Sequence, residues 1–229
     1  MNLTDGIWIL PLRERPEGTV RIMRSVKDCD PLARIVAVVD EDDPYKADII
    51  GLCTGFYIDY IVVPSGTCTS AKINEAAHTF PGERFYGFLA NDIEIRTPGT
   101  LAALAENCPF MGLSYCDDSI HGQNLATHPC VSGALVETLG WWAYPLAAHN
   151  GIDVYLMQAA NAGGGCKYLP EYLMYHFHSS EGRVLKDSVT VRMESWAQQD
   201  MEASARWHMK GDEEIYLRRV REALEALHV

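Results

Sequence analysis

Apolar and polar positions switch between two periods along the first half of the chain, and the switching predicts a succession of βαβ units. Gly6 to Leu12 is a short apolar run that reads as a first strand. Pro16 then suits the first turn of a helix on which Val20, Met23 and Val26 recur at helical spacing before Pro31. Ala33 to Val39 is almost wholly apolar, as a parallel strand covered on both faces must be, and it empties into the acidic turn Asp40-Glu41-Asp42-Asp43-Pro44. Tyr60 to Val63 predicts a third strand, and the spacing Ile73, Ala76, Ala77, Phe80 predicts a helix. Phe85 to Leu89 predicts a fourth strand running into Asn91-Asp92-Ile93-Glu94, after which Thr97-Pro98 marks the start of a helix carrying Leu101 and Leu104.

The second half is less regular. Phe110 to Tyr115 predicts a strand, the polar stretch Cys116 to Asn124 a surface loop, and Ser132 to Leu139 a helix. Asp153 stands where it would cap a helix reaching about Ala160, and Lys167 to His178 reads as one or two strands around Pro170. From Asp212 onward Leu217, Val220, Leu224 and Leu227 form the apolar stripe of an amphipathic helix that packs on the domain or on a subunit partner, so an oligomer through this helix is one expectation. With no internal repeat and no linker, the division expected is an α/β domain over 1–187 and a helical extension over 188–229 packed on it.

Charge changes this picture in one respect. The 229 residues include 31 acidic and 19 basic side chains, a formal charge of −12, which argues against a general binder of phosphate backbones. The seven cysteines are an odd number without any Cys-x-x-Cys pair, so they read as small buried apolar residues rather than a disulfide or zinc framework. No run approaches a membrane span, and Met1 to Asp5 lacks the basic start of a secretory signal, so the expectation is a soluble cytoplasmic protein.

Candidate chemistry gathers at the carboxyl ends of the predicted strands, the edge at which open α/β sheets bind ligands. Arg13 and Arg15 follow the first strand, Asp40 and Asp42 the second, and Asn91, Asp92 and Glu94 the fourth. Arginines and carboxylates so placed suit a nucleotide diphosphate held with a divalent cation, although turns are rich in the same residues. Asp92 and Glu94 share a face if the chain stays extended there. His176 and His178, two apart on a strand, would likewise point one way; imidazole beside carboxylate favours manganese over magnesium. Asp153 is open to two readings, a helix cap or a general base. Gly163-Gly164-Gly165 follows no N-terminal strand and reads as a turn rather than a phosphate loop, and Trp141, Trp142 and Tyr144 read as core before sugar platform.

In order along the chain, Pro11-x-Arg13-x-Arg15-Pro16, the acids after the second strand, Lys72-x-Asn74, the acidic motif after the fourth strand and the late His-x-His resemble the glycosyltransferase-A fold, particularly family-2-like enzymes. Phe88-Leu89-Ala90-Asn91-Asp92 with Arg96-Thr97-Pro98-Gly99 resembles a subgroup found in phages and actinobacteria, as do the segment Asp118 to Gly133, His149-x-x-x-Asp153 and Tyr168-Leu169-Pro170. The resemblance implies a Rossmann-like, mostly parallel sheet with helices on both faces. It implies that Pro11, Arg13, Arg15, Asp40, Asp42, Lys72, Asn74, Asn91 and Asp92 hold a nucleotide-sugar donor, a UDP-sugar foremost, and that Mn2+ or Mg2+ sits on Asp92 with Glu94, His176 or His178. Asp153 would be the base at an acceptor hydroxyl, with Asp117, Asp118 and His149 on the acceptor side. The acceptor itself is open between a modified DNA base and a glycan, and a phage-encoded protein would act in the host cytoplasm. One departure stands out: the family's Asp-x-Asp is here Ala90-Asn91-Asp92, leaving Asn91 or Glu94 to replace the first acid. The competing readings are a sugar nucleotidyltransferase, disfavoured by the single glycine between Pro11 and Gly18, and a non-catalytic binding protein of the same fold.

Overall fold

The chain follows the order β1 (Ile7–Leu12), α1 (Pro16–Cys29), β2 (Ile35–Asp40), α2 (Lys46–Gly55), β3 (Asp59–Val63), α3 (Thr69–Thr79), β4 (Phe85–Phe88), β5 (Ile93–Ile95) and α4 (Thr100–Asn107). It continues through β6 (Leu113–Asp117), β7 (Cys130–Ser132), α5 (Gly133–Leu139), α6 (Ile152–Ala162), β8 (Cys166–His176), α7 (Ser188–Glu194), α8 (Ala197–Met209) and α9 (Asp212–Ala226). These elements come from a computed structural model that describes residues 3–178, 182–183 and 186–227. Among those residues one mixed sheet runs in the order β3-β2-β1-β4-β7-β6-β8-β5. Strands β3, β2, β1 and β4 are parallel, β7 runs antiparallel to both β4 and β6, and β8 is parallel to β6.

Side chains alternate across the sheet and divide the core in two. Ile7, Ile9, Val36 and Val38 face a layer that includes Ile73, Leu135, Trp142, Leu156 and Trp207 of α3, α5, α6, α8 and their connections. Trp8, Leu10, Ala37 and Val39 face Ile22, Met23, Ile49, Leu101 and Leu104 of α1, α2 and α4. Helices therefore cover both faces, which explains why β1 and β2 are apolar throughout. Trp141, Trp142 and Tyr144 are core, Trp141 and Tyr144 in an aromatic cluster with Trp207 and Tyr216 that docks α8 and α9 onto the sheet layer. Val220 is fully buried, so α9 packs on its own domain. All seven cysteines are free, four of them buried. No helix among the described residues is long and apolar enough to cross a membrane.

Local differences from the sequence reading have plain causes. Helix α2 carries no clear apolar stripe, since only Ile49 and Cys53 are buried, and its sequence therefore has no helical periodicity. Helix α4 begins three residues after Thr97 and is capped from a distance: the buried Asp30 carboxylate accepts the N–H groups of Leu101 (3.0 Å) and Ala102 (3.1 Å). Strand β8 passes through Pro170 without a break, the irregularity being absorbed by a register shift at Cys116/Asp117.

Candidate functional site

The carboxyl ends of β1 and β4, helix α3, the residues leading into β7, the end of β8 and the helix α7 enclose a cavity of about 350 Å³. A larger groove of about 1100 Å³ between α1 and α2 is open and collects Arg21, Arg24, Asp28, Asp48 and Glu94, with no histidine and none of the strand-end arginines. The convergent polar groups single out the smaller cavity.

Its cationic wall is built on Asp40. This last residue of β2 is fully buried and accepts Lys72 Nζ at 2.7 Å and Arg13 Nη1 at 3.1 Å; Arg13 also reaches Asp42 at 2.7 Å. Burial lowers the Lys72 pKa, partly offset by Asp40. Arg13, Lys72 and Pro11 line the cavity, whereas Asp40 and Asp42 stand behind them as their anchors. Asn74 also lies outside the cavity: its side chain takes the N–H groups of Trp142 and Ala143 at 2.9 Å and donates to the Ala143 carbonyl at 2.7 Å, pinning the turn after α5.

Arg15 enters the cavity from a strained turn, with Glu14 at φ 54° and Arg15 at φ 50°, both left-handed without glycine. The Glu14 N–H donates to Asp43 at 2.7 Å, which holds that turn. Just beyond it, a Cβ on Gly18 would lie 2.2 Å from the Asn91 carbonyl, so the close approach of α1 to the Asn91-Asp92 turn requires glycine.

Beside Arg15 in the same cavity stand Asp92, His128 and His176, whose donor atoms lie within 4.8 Å of one another. The His128 ring stacks on Phe88 with a centroid distance of 5.4 Å and an interplanar angle of 9°. Burial and the neighbouring His176 push the His128 pKa down to about 3, so it is a neutral imidazole near neutral pH. Burial opposes charge on His176 as well, yet the carboxylates of Asp118 and Asp92, each 3.8 Å away, outweigh it and push its pKa up to about 9. Asp92, despite its burial, is held well below the carboxylate range by His176 and Arg15. Nδ1 of His176 is buried without a hydrogen-bond partner, and Asp118 stands beside it, the place where a carboxylate orients a metal-bound imidazole. One carboxylate and two buried imidazoles, with Asp118 placed to orient the outer nitrogen of His176, fit a divalent transition-metal ion such as Mn2+ better than Mg2+.

Of the four residues expected at a metal, Asp92 and His176 are therefore brought together. His178 lines the same cavity with its ring 5.0 Å from that of His176, outside the three-donor group. Glu94 is turned away: it accepts from Arg96 Nε at 2.9 Å and lines the groove beside α1, because Asp92 lies in the turn before β5 and only Glu94 is in the strand, so the two do not share a face. His128 went unmarked in the sequence; the only local signal is its place before Pro129, which favours extended backbone.

The remaining wall is made by His149, Asn150 and the start of α6. Gly151, at φ 83°, is the N-cap of that helix, so Asp153 lies inside the first turn and is not its cap. Its carboxylate accepts the neighbouring Val154 N–H at 2.9 Å, and burial raises its pKa. Asp117 and Asp118 do not reach the cavity. Asp117 accepts Ser119 N–H at 2.8 Å, and Asp118 binds His121 Nδ1 at 2.7 Å behind His176. Helix α7 supplies Thr190, Arg192 and Met193, followed by Trp196, none of which carried a sequence signal.

The sequence matches no protein-family model and no curated protein. In structure the chain is similar to the mannosyltransferase PcManGT from Pyrobaculum calidifontis in complex with GDP-Man and Mn2+, at 12% identity and TM-score 0.60, over 98% of this chain and 75% of that one. It is similar to GalNAc-T7 with UDP, GalNAc and Mn2+ at 10% identity and TM-score 0.62, where 97% of this chain spans 55% of the other, and to S. aureus TarS 1-349 at 12% identity and TM-score 0.55, over 99% and 83%. The fold is thus that of the A-type glycosyltransferases.

Proposed function

We propose that this protein is a metal-dependent glycosyltransferase that moves a sugar from a nucleotide donor, a UDP-sugar first, to a hydroxyl acceptor. The observation that carries the reading is the placement of Asp92, His128 and His176 beside Arg15 and Lys72, at the strand ends of an A-type glycosyltransferase fold. The fold neighbours PcManGT and GalNAc-T7, solved with nucleotide or nucleotide-sugar and Mn2+, support it.

On this reading Pro11, Arg13 and Lys72 contact the nucleoside half of the donor, with Asp40 and Asp42 keeping both cations in place. Asp92, His128 and His176 would hold a divalent ion, and its chemistry when bound would be neutralisation of the diphosphate's charge. Arg15 adds positive charge at the same oxygens. Asp153, half-buried and free of a capping role, takes the proton of the acceptor hydroxyl; its raised pKa makes it a stronger base than an exposed aspartate. The acceptor, a modified DNA base or a glycan, and the phage-type subgroup stay part of the proposal.

The test is a melting and calorimetry screen of Mn2+ with UDP, GDP and their sugars, followed by mass analysis of the consumed donor. Binding of one nucleotide only with metal, lost in Asp92→Ala, is the expected result. Metal-dependent binding without consumption of any donor would favour a non-catalytic binder, and no nucleotide binding at all would overturn the reading.

A further inference from the structure

The segment Ala147 to Gly151 carries His149 and leads into α6 and Asp153, yet it belongs to no strand or helix of its own. Two elements fasten it. From α3, Ser70 donates its hydroxyl to the carbonyls of Ala147 and Ala148, and its N–H to Ala148 O at 3.1 Å. From α8, the carboxylate of Asp200 accepts three successive backbone N–H groups, those of Ala148 (2.7 Å), His149 (3.0 Å) and Asn150 (3.0 Å), and also Asn150 Nδ2 at 2.9 Å.

Asp200 is 7% exposed and forms no ion pair among the described residues. A carboxylate buried without a cation is costly, and here only four N–H donors offset that cost. A residue serving the α8 interface alone would be apolar, as are its buried neighbours on the helix, Ala203 and Trp207. Trp207 Nε1 also donates to Gln158 of α6 at 2.6 Å, so α8 is fixed to the helix that carries Asp153 as well as to the segment before it. The His149 ring is in turn held at Thr69 Oγ1, 3.1 Å away, which closes a frame around the acceptor wall of the cavity.

We infer that Asp200 is a positioning residue for the reaction: it fixes Ala148 to Asn150 so that His149 and Asp153 stand at the cavity wall. The inference rests on the glycosyltransferase reading and on Asp153 as its base. It makes part of the C-terminal extension a working element of the site rather than a cover for the core.

The experiment compares full-length wild type with Asp200→Asn and, as a control on the same helix, Gln199→Ala, whose side chain reaches Leu146 O from the solvent side. Donor consumption and nucleotide affinity are measured with Mn2+, and amide exchange is followed over 146–153 and over α3. In Asp200→Asn the nucleotide affinity and donor KM should stay within about twofold while kcat falls about tenfold or more, with faster exchange at 148–150 and unchanged exchange in α3. Gln199→Ala should keep wild-type kcat. Wild-type kcat in Asp200→Asn would overturn the inference, as would parallel losses of nucleotide affinity and kcat, which mark general fold support. If Asp200→Asn does not fold, Asp200→Glu keeps the charge while shifting the acceptor atoms, and its kcat should fall with affinity intact; wild-type kcat there overturns the inference. A wild type that neither binds nucleotide nor consumes donor sinks the glycosyltransferase reading itself, and amide exchange then still reports whether Asp200 holds the segment.

Discussion

Arg15 joins two carboxylates from distant parts of the chain: its Nε and Nη2 take both oxygens of Asp187 at 2.5 and 2.7 Å, while Nη1 lies 3.4 Å from Asp92. Arg15 Nη2 further reaches Thr190 Oγ1 at 3.1 Å, and Asp187 caps α7 through the Thr190 N–H at 2.9 Å. One guanidinium therefore holds a candidate metal ligand and the helix that roofs the cavity. It also holds the Asp187 carboxyl down, to about 2.

Asp187→Ala should release α7 without unfolding the sheet. The pair is partly exposed, so the melting temperature should fall by only about 1–2 °C. Limited proteolysis should instead cut near α7 faster, and Mn2+-nucleotide affinity should drop several-fold. Unchanged proteolysis would show that the Arg15 pair does not hold the roof.

The three-donor group separates the histidines. His128→Ala should weaken Mn2+ binding on the order of 100-fold and Asp118→Asn about tenfold, the second by freeing the His176 ring to turn. Glu94→Gln should bind Mn2+ as wild type does. Calorimetric titration of Mn2+ into each variant checks all three; equal losses in His128→Ala and Glu94→Gln would place the metal elsewhere.

His128 and His176 also give the metal-free protein opposite pH dependences. The His128 pKa is depressed from 6.5 to about 3, so between those values only the unfolded chain takes up the proton, and stability rises with pH up to about 6.5. The His176 pKa is raised to about 9, so its contribution is complete below 6.5 and is lost as pH climbs through 9. Thermal melts from pH 4 to 10 should peak near the middle, with the alkaline fall flattened in His176→Asn and the acid fall reduced in His128→Asn.

Asp40 and Lys72 make a buried pair, and cutting one partner leaves the other uncompensated. Asp40→Ala should cost about 3–5 kcal/mol in a urea unfolding curve, and Asp40→Ala with Lys72→Met should recover part of it. Additive losses in the double variant would mean that the two residues act independently.

The ordered strand-end motifs made one side of the cavity legible. Arg13, Arg15, Asn91 and Asp92 follow apolar strands directly, so their position at the sheet edge comes from local pattern alone. His128 was not legible, because it follows a polar loop and joins the group only when β7 inserts between β4 and β6. The resemblance placed Asp118 on the acceptor side, and its polar neighbours in sequence give no sign that its carboxylate turns inward to His121 and His176. Helices α2 and α7 bury only one or two residues each, and the buried face of α8 is Asp200, Ala203 and Trp207, in which a charged residue interrupts the apolar stripe that periodicity detects.

The donor atoms of Asp92, His128 and His176 come from three places more than thirty residues apart, brought together by a sheet whose middle strands pair out of chain order. Pairings of that kind close late in folding, after the loop entropy of long connections has been spent. Metal capture would therefore time the end of folding: during refolding, a Mn2+ signal should lag behind the far-ultraviolet dichroism of the helices and coincide with the recovery of nucleotide binding.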